Sequence, residues 1–371
     1  MPAKIFTFIL LQILLWNFPV FPVAAQDLKM SLNHETPLPF TPIAGSKPAA
    51  PEHEAGIKSE RTLPVLAPER KPDRNLVSYT GEIQNYTARA EDTLLKIARD
   101  NNLGYVEIRS ANPGIDPWLP GDGTSITLPT QHLLPEAPRQ GLVINLSEMR
   151  LYQFHGPNTI TTYPIGIGRT GLKTPLGSTS VIRKKEAPVW FPTERMRQED
   201  PTLEKVVQPG PDNPLGTHAL YLDWPTFLIH GTNEPWGIGR RVSSGCIRLY
   251  PEDIKNLFAQ AALHMPVTIV DQPVKAGWIG DRLYLEAHVS QKDADATEED
   301  GSQPPFRLAR ADMERILRTA GAAADRVNWP VVRRVIKQRR GYPVAITEPI
   351  PQTSKILSPN SSQKKRNSDP T

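Results

Sequence analysis

The sequence predicts a mainly β protein: a β-sandwich-like principal domain, preceded by a small α+β unit and followed by a partly helical extension. Three observations carry this. Between residues 141 and 271 the apolar side chains fall in short runs rich in Val, Ile, Tyr and Phe, bounded by Gly, Pro and Asn, as strands are. Residues 84–130 pass from a strand-like period to a helical one and back. From about residue 306 the period is helical again.

Composition sets the outer limits. At 371 residues the chain has room for two or three domains. A hydrophobic content of 39% with 39 prolines points to folded modules joined by extended linkers. The net charge of +4 is too weak and too scattered to argue for nucleic acid. Residues 1–25 read as a secretory signal peptide, with Lys4, an apolar run from Ile5 to about Phe18, and the small residues Val23 and Ala25 before the cut. Gln12, Asn17 and Pro19 interrupt the run, which argues against an uncleaved anchor. No later stretch is long and apolar enough to span a bilayer, so an exported chain with no stable membrane span is expected. Residues 26–78 form a Pro-rich linker too poor in large apolar side chains to fold.

In the unit at 84–130, Tyr86–Arg89 reads as a short strand. Asp92 and Thr93 are suited to start a helix whose Leu94, Leu95, Ile97 and Ala98 share a face. Leu103-Gly104 closes that helix, a second runs from about Tyr105 to Asn112, Asn-Pro-Gly at 112–114 turns the chain, and Ile126–Leu128 returns as a strand. In the principal domain, "GLVINL", "RLYQFH", "ITTYPIGIG", "STSVIRKK", "HALYLDW", "TFLIHG" and "PVTIVD" are the strands. One helix interrupts them, "PEDIKNLFAQAA". Pro251 is at its first position, Glu252 and Asp253 are in its first turn, and Ile254, Leu257, Phe258 and Ala261 lie on one face. The extension, 272–350, has one strand-like run at 280–288 and an acidic stretch at 289–305 read as loop. Two amphipathic helices follow, with Leu308, Met313, Ile316 and Leu317 on one stripe and a solvated basic face at 333–340. The tail, 351–371, reads as disordered.

The chemistry points to one place, "IHGTNEPWGIGRRVSSGCIRLY", which holds the chain's single cysteine. No internal disulfide can form, and an unpaired thiol in an oxidising compartment is a liability unless it works. Cys246 is useful as a nucleophile only once deprotonated, and His230, sixteen residues upstream, is the candidate proton acceptor. Both end apolar strand-like runs, so adjoining strands would set them side by side, with Gly237 and Gly239 helping the loop to turn. Gly245 frees the backbone before the thiol, and main-chain N–H groups from Ser244 to Cys246 could face the oxygen of a tetrahedral intermediate. Arg248 could bind a substrate carboxylate or tune the thiol, and Gly231 and Thr232 complete the candidate positioning residues. His and acidic residues show no metal-ligand spacing, so neither metal nor cofactor is expected.

Two resemblances sharpen this reading. "EDTLLKIARDNNLGYVEIRSANPG" resembles the LysM module, which implies binding to the N-acetylglucosamine-containing glycan of peptidoglycan, although "RAED" stands where Pro-Gly-Asp is usual. "IHGTNEPWGIGRRVSSGCIRLYPEDI", with "GLVINLSEMRLYQF" and "GIGRTGLKTPLGSTSV", resembles the YkuD-type L,D-transpeptidases over roughly 141–271; Ser244 replaces a common His before Gly-Cys. That resemblance implies Cys246 as nucleophile and His230 as proton acceptor, with a main-chain carbonyl orienting the imidazole. It further implies periplasmic acyl transfer from meso-diaminopimelate of a peptidoglycan tetrapeptide stem, with loss of D-Ala. The acceptor would be the C-terminal Lys of an outer-membrane lipoprotein or a second diaminopimelate, giving a 3→3 cross-link. A hydrolase on the same fold and a non-catalytic wall binder are the alternatives. A papain-like peptidase is disfavoured by the order and closeness of His and Cys.

Overall fold

The first described strand, β1 (Tyr79–Thr80), pairs antiparallel with β4 (His132–Leu133), and between them lies the small α+β unit. The structure, a computed structural model, describes residues 76–349; the expected signal peptide, nearly all of the linker and the expected disordered tail lie outside the described residues. The unit has the expected order. Strand β2 (Gln84–Thr87) pairs antiparallel with β3 (Ser125–Leu128) around α1 (Leu94–Asp100) and α2 (Tyr105–Ala111). Thr93 caps α1 by accepting the Lys96 N–H at 3.1 Å. Asp92 is buried instead, taking hydrogen bonds from Tyr86 Oη at 2.7 Å and the Arg89 N–H at 2.9 Å. Leu94, Ile97, Leu103, Ile108, Ile126 and Leu128 make the unit's core. Helix α2 is buried nearly all round because its second face, through Val106, joins the core of the principal domain.

The principal domain departs from the expected sandwich. Its main strands are β5 (Gly141–Asn145), β6 (Arg150–Phe154), β7 (Ile160–Pro164), β9 (Gly177–Glu186), β10 (His218–Leu222), β11 (Leu228–His230), β13 (Ile247–Arg248) and β14 (Pro266–Val270). They form a single eight-stranded sheet in the order β13-β11-β10-β9-β14-β5-β6-β7. The β14–β5 and β11–β13 pairs are parallel and the rest antiparallel, a mixed sheet. Short apolar runs mark the strands but not what covers their faces. The cover is helical. Leu142, Ile144, Leu151, Val181, Leu220, Ile229, Ile247 and Val267 pack with Ile254 and Leu257 of α4 (Pro251–Gln260) and with Ala261 just after it. On the opposite face Val143, Tyr152 and Phe154 pack under Leu134 of the incoming chain.

The expected strand at 160–168 is broken. After β7, Gly166 bridges Arg248 of β13, and β8 (Ile167–Gly168) pairs in parallel with β12 (Arg241–Ser243). Because β7 and β13 are the two edges of the sheet, this continuation curls it into a half-barrel. A long connection carrying α3 (Glu194–Glu199) joins β9 to β10.

In the extension, β15 (Val274–Ile279), β16 (Arg282–Ala287) and β17 (Val344–Ala345) form an antiparallel sheet over α6 (Arg310–Ala320) and α7 (Trp329–Gln338). Three expectations are corrected here. The supposed loop at 289–305 contains α5 (Ala294–Asp300), whose buried residues are only Ala294 and Thr297, too small to leave a hydrophobic signal. On α6, Ile316 is buried but Met313 and Leu317 face solvent. In the basic run, Arg333, Arg334 and Lys337 are exposed as expected, whereas Arg339 is buried and donates to the Pro304 carbonyl at 2.6 Å. Among the described residues, no helix is long and apolar enough to cross a membrane.

Buried charge joins the three parts. Arg150 of β6 meets Glu107 of α2 at 2.7 Å and the Asn102 carbonyl at 3.0 Å. Lys275 of β15 binds Glu148, Glu286 at 2.9 Å and the Leu133 carbonyl at 2.6 Å, while His288 meets Glu286 at 2.6 Å. Ligand-type atoms of His132, Glu148 and Glu286 lie within 4.8 Å of one another, but the Lys275 ammonium already rests on both carboxylates. Lys275→Met therefore strands two buried carboxylates and is expected to lower unfolding free energy by about 3–5 kcal/mol. Urea unfolding would measure this, and a loss below about 1 kcal/mol would show that the network contributes little.

Candidate active site

The "TFLIH" and "CIRLY" runs do adjoin, as the parallel strands β11 and β13, with Ile229 opposite Ile247 and His230 opposite Arg248. Both isoleucines are buried in the core. Side chains alternate along a strand, so His230 and Arg248 lie on the other face, and Cys246, one residue before Ile247, joins them. The sequence separation of sixteen thus becomes adjacency on one surface of the sheet.

His230 is buried, 3% exposed, and its Nδ1 lies 2.6 Å from the Gly231 carbonyl, with the Leu215 carbonyl also bonding the ring. A carbonyl only accepts, so Nδ1 carries the proton and Nε2 keeps its lone pair for a substrate or thiol proton. Burial, and next the nearby Arg248 guanidinium, push the imidazole down to about 3, against the pull of those carbonyls. Burial pushes the Cys246 thiol up, opposed by the Leu228 N–H and by Arg248. The thiol itself points to the Thr226 carbonyl at 3.5 Å. Both shifts act in one direction, burial favouring the neutral form of the imidazole and of the thiol.

The turn before the thiol is held from two sides. Gly245 has φ +110°, and a Cβ there would come within 3.0 Å of the Phe227 ring, so both conformation and space call for glycine. Its carbonyl accepts from Thr174 Oγ1 at 2.8 Å, and Thr174 Oγ1 accepts the Gly168 N–H at 3.2 Å. Ser243 Oγ donates to the Cys246 carbonyl at 2.5 Å and accepts the Gly245 N–H at 3.2 Å. The Gly245 N–H is therefore already engaged. Neither Thr174 nor Ser243 was singled out by the sequence. The family-like stretch at 166–181 was the one signal near Thr174, and it names no role.

The remaining candidates separate by position. Arg248 is bound through its main chain to Gly166, N–H to carbonyl at 2.9 Å in both directions. Its Nη1 lies 3.9 Å from Glu234, and among the described residues its buried Nε has no hydrogen-bond partner. Gly231 serves through its carbonyl, and its N–H donates to the His218 carbonyl at 3.1 Å. Thr232 is buried and accepts the Glu234 N–H at 2.9 Å, shaping the loop rather than facing outward. Ser244 is half-buried beside Gly245. Exposed Trp236 and Val242 rise from the same loop. A buried imidazole, a thiol on the same sheet face and a held turn before that thiol suit acyl transfer through a thioester.

Comparison with known proteins agrees. The YkuD family model, the L,D-transpeptidase catalytic domain, matches residues 139–269. The probable L,D-transpeptidase YcfS of Escherichia coli (strain K12) is 41% identical over 265 residues, 68% of this chain and 80% of that protein. The probable L,D-transpeptidase YbiS of the same strain is 40% identical over 256 residues, 67% of this chain and 81% of that protein. The putative L,D-transpeptidase YkuD of Bacillus licheniformis is 30% identical over 173 residues, 46% of this chain and 90% of that protein. With fold, thiol and imidazole in place, the chain belongs to the L,D-transpeptidases, cysteine-dependent transferases that act on peptidoglycan.

Proposed function

We propose that Cys246 is the nucleophile and His230 the proton carrier of a transfer from a tetrapeptide stem of peptidoglycan to an amine. The observation that carries this is the parallel pairing of β11 with β13, which puts a carbonyl-held imidazole on the same face as the only thiol. The sulfur attacks the carbonyl of meso-diaminopimelate at the third stem position while His230 Nε2 takes the thiol proton. The oxyanion is received by the Ser244 and Cys246 N–H groups, since the Gly245 N–H is bound to Ser243. Collapse breaks the bond to D-Ala, the imidazolium returns its proton to the departing amine, and a thioester remains. An acceptor amine then attacks the thioester, His230 takes the amine proton, and collapse expels the thiolate, which recovers that proton as the new amide forms. Arg248, beside both groups, would engage a carboxylate of the stem.

The acceptor is the C-terminal Lys of an outer-membrane lipoprotein or a second diaminopimelate, and the reaction is periplasmic, the chain being exported by its signal peptide. The α+β unit acts as a LysM-type glycan holder. Its strand–helix–helix–strand order supports this, as do Trp118 and Leu119, 60% and 73% exposed, an apolar platform for a sugar face.

Disaccharide-tetrapeptide, with and without a lysine-ended peptide, followed by mass spectrometry tests the reading. D-Ala loss with a new amide to lysine is the tethering outcome, and stem-to-stem dimers the cross-linking one; D-Ala loss with free tripeptide alone would indicate transfer to water. Cys246→Ala should abolish the acyl-enzyme, and His230→Ala should lower kcat by about 10²–10⁴-fold. Absence of D-Ala release and of acylation at Cys246 in the wild type would overturn the proposal.

The pH profile is a second test. His230 must be neutral to accept a proton, and its depressed value of about 3 keeps it neutral across the physiological range. The acidic limb of kcat/KM assigned to His230 should therefore lie well below the ordinary histidine value of 6.5. A limb near 6.5 that vanishes in His230→Gln would contradict this.

A further inference from the structure

We infer that the C-terminal extension holds the loop between His230 and Cys246 in its working shape, with Asp295 and Glu298 of α5 as positioning residues. The inference builds on the transfer chemistry proposed for Cys246. The middle of this loop, 238–241, is braced by neighbours on two sides. On one side is α2: the N–H groups of Tyr105 and Val106 donate to the carbonyls of Ile238 at 3.3 Å and Gly239 at 3.2 Å. Gly239, at φ +76°, packs so closely that a Cβ would fall 2.4 Å from Gly104 Cα. On the other side is α5. Arg240 stacks over the Tyr105 ring at 4.1 Å and binds Glu298 at 3.0 Å. Arg241, only 3% exposed in its side chain, binds Asp295 at 2.9 Å.

Asp295 also accepts from Thr170 Oγ1 at 3.2 Å. Thr170 lies in the 168–174 turn, whose Gly168 and Thr174 carry the Gly245 turn, while Arg241 opens β12, which pairs with β8. One carboxylate thus ties together the two pieces of chain, the 168–174 turn and β12, that hold the turn before Cys246. The physical need is plain. Arg240 and Arg241 are consecutive like charges, and the buried Arg241 guanidinium without its carboxylate would be driven outward to water. β12 would move with it, and a shift of about 1 Å at a nucleophile can cost about 10²-fold in rate. Neither acid touches the sulfur or the imidazole, so both act through Arg241, Arg240 and Thr170.

The test compares full-length wild type with Asp295→Ala, Glu298→Ala, the double variant and Asp295→Glu. Arg318→Ala is the control; it loses a contact of the same extension with Glu136, at 2.8 Å, outside this loop. Amide hydrogen exchange across 238–246 should quicken in the alanine variants, with kcat for D-Ala release falling about tenfold or more and KM changing less. Asp295→Glu should recover most of the rate, and Arg318→Ala should behave as wild type. Should the double variant not fold, the single variants give the same comparison. Unchanged exchange in folded variants, or quickened exchange with kcat intact, would overturn the inference. An equal loss in Arg318→Ala would overturn it as well, since any loosening of the extension would then suffice. A wild type that never releases D-Ala would refute the transferase reading separately, and the exchange comparison would still decide whether α5 anchors the loop.

Discussion

The reciprocal main-chain pairing of Gly166 with Arg248, N–H to carbonyl at 2.9 Å each way, is the constraint on which the site depends. It joins the continuation of one edge strand of the eight-stranded sheet to the other edge strand. Without it the sheet would end in two free edges, and Cys246 would sit at the frayed end of a two-residue strand. With it, β13 is held between β11 and the 166–168 segment, and the turn carrying Cys246 inherits the rigidity of both. The second layer follows from the first: β8 and β12 pair, Thr174 reaches the Gly245 carbonyl, and Ser243 closes the turn from below.

Burial then decides the electrostatics. In a low-dielectric setting the imidazole and the thiol both favour their neutral forms, and Arg248 adds to this for His230 while opposing it for Cys246. The same low dielectric operates at the junction of the three parts, but there the ions are kept, because each is paired: Arg150 with Glu107, Lys275 with Glu148 and Glu286. Isolated charges would be intolerable at such depth, so these pairs work only when all three parts are docked. That makes the α+β unit and the extension part of the same body as the catalytic sheet, consistent with the bracing of the catalytic loop by Tyr105 on one side and α5 on the other.

Much of this was legible in residue order. Short β-rich runs marked the strands of the sheet, Pro251 with Glu252 and Asp253 marked the start of α4, and Thr93 marked the cap of α1. The unique thiol and the His-Gly upstream singled out the site. These features are local: periodicity, capping and rare residue types act within a few positions of themselves.

The rest was not legible, for an equally physical reason. Short apolar runs say that strands are buried but not against what, so a curled single sheet under α4 and a two-sheet sandwich read alike. Helix α5 buries only Ala294 and Thr297 and so casts no hydrophobic shadow. Thr174, Asp295, Lys275 and Arg339 are ordinary polar residues in sequence, and each takes its role from partners brought together by folding. The sequence by itself determined most of the strands, the start of α4, the single thiol and the transpeptidase family. Only the tertiary structure decided the burial of the imidazole and the thiol, the closure of the sheet and the anchoring of the loop, because desolvation and long-range pairing exist only once distant segments pack.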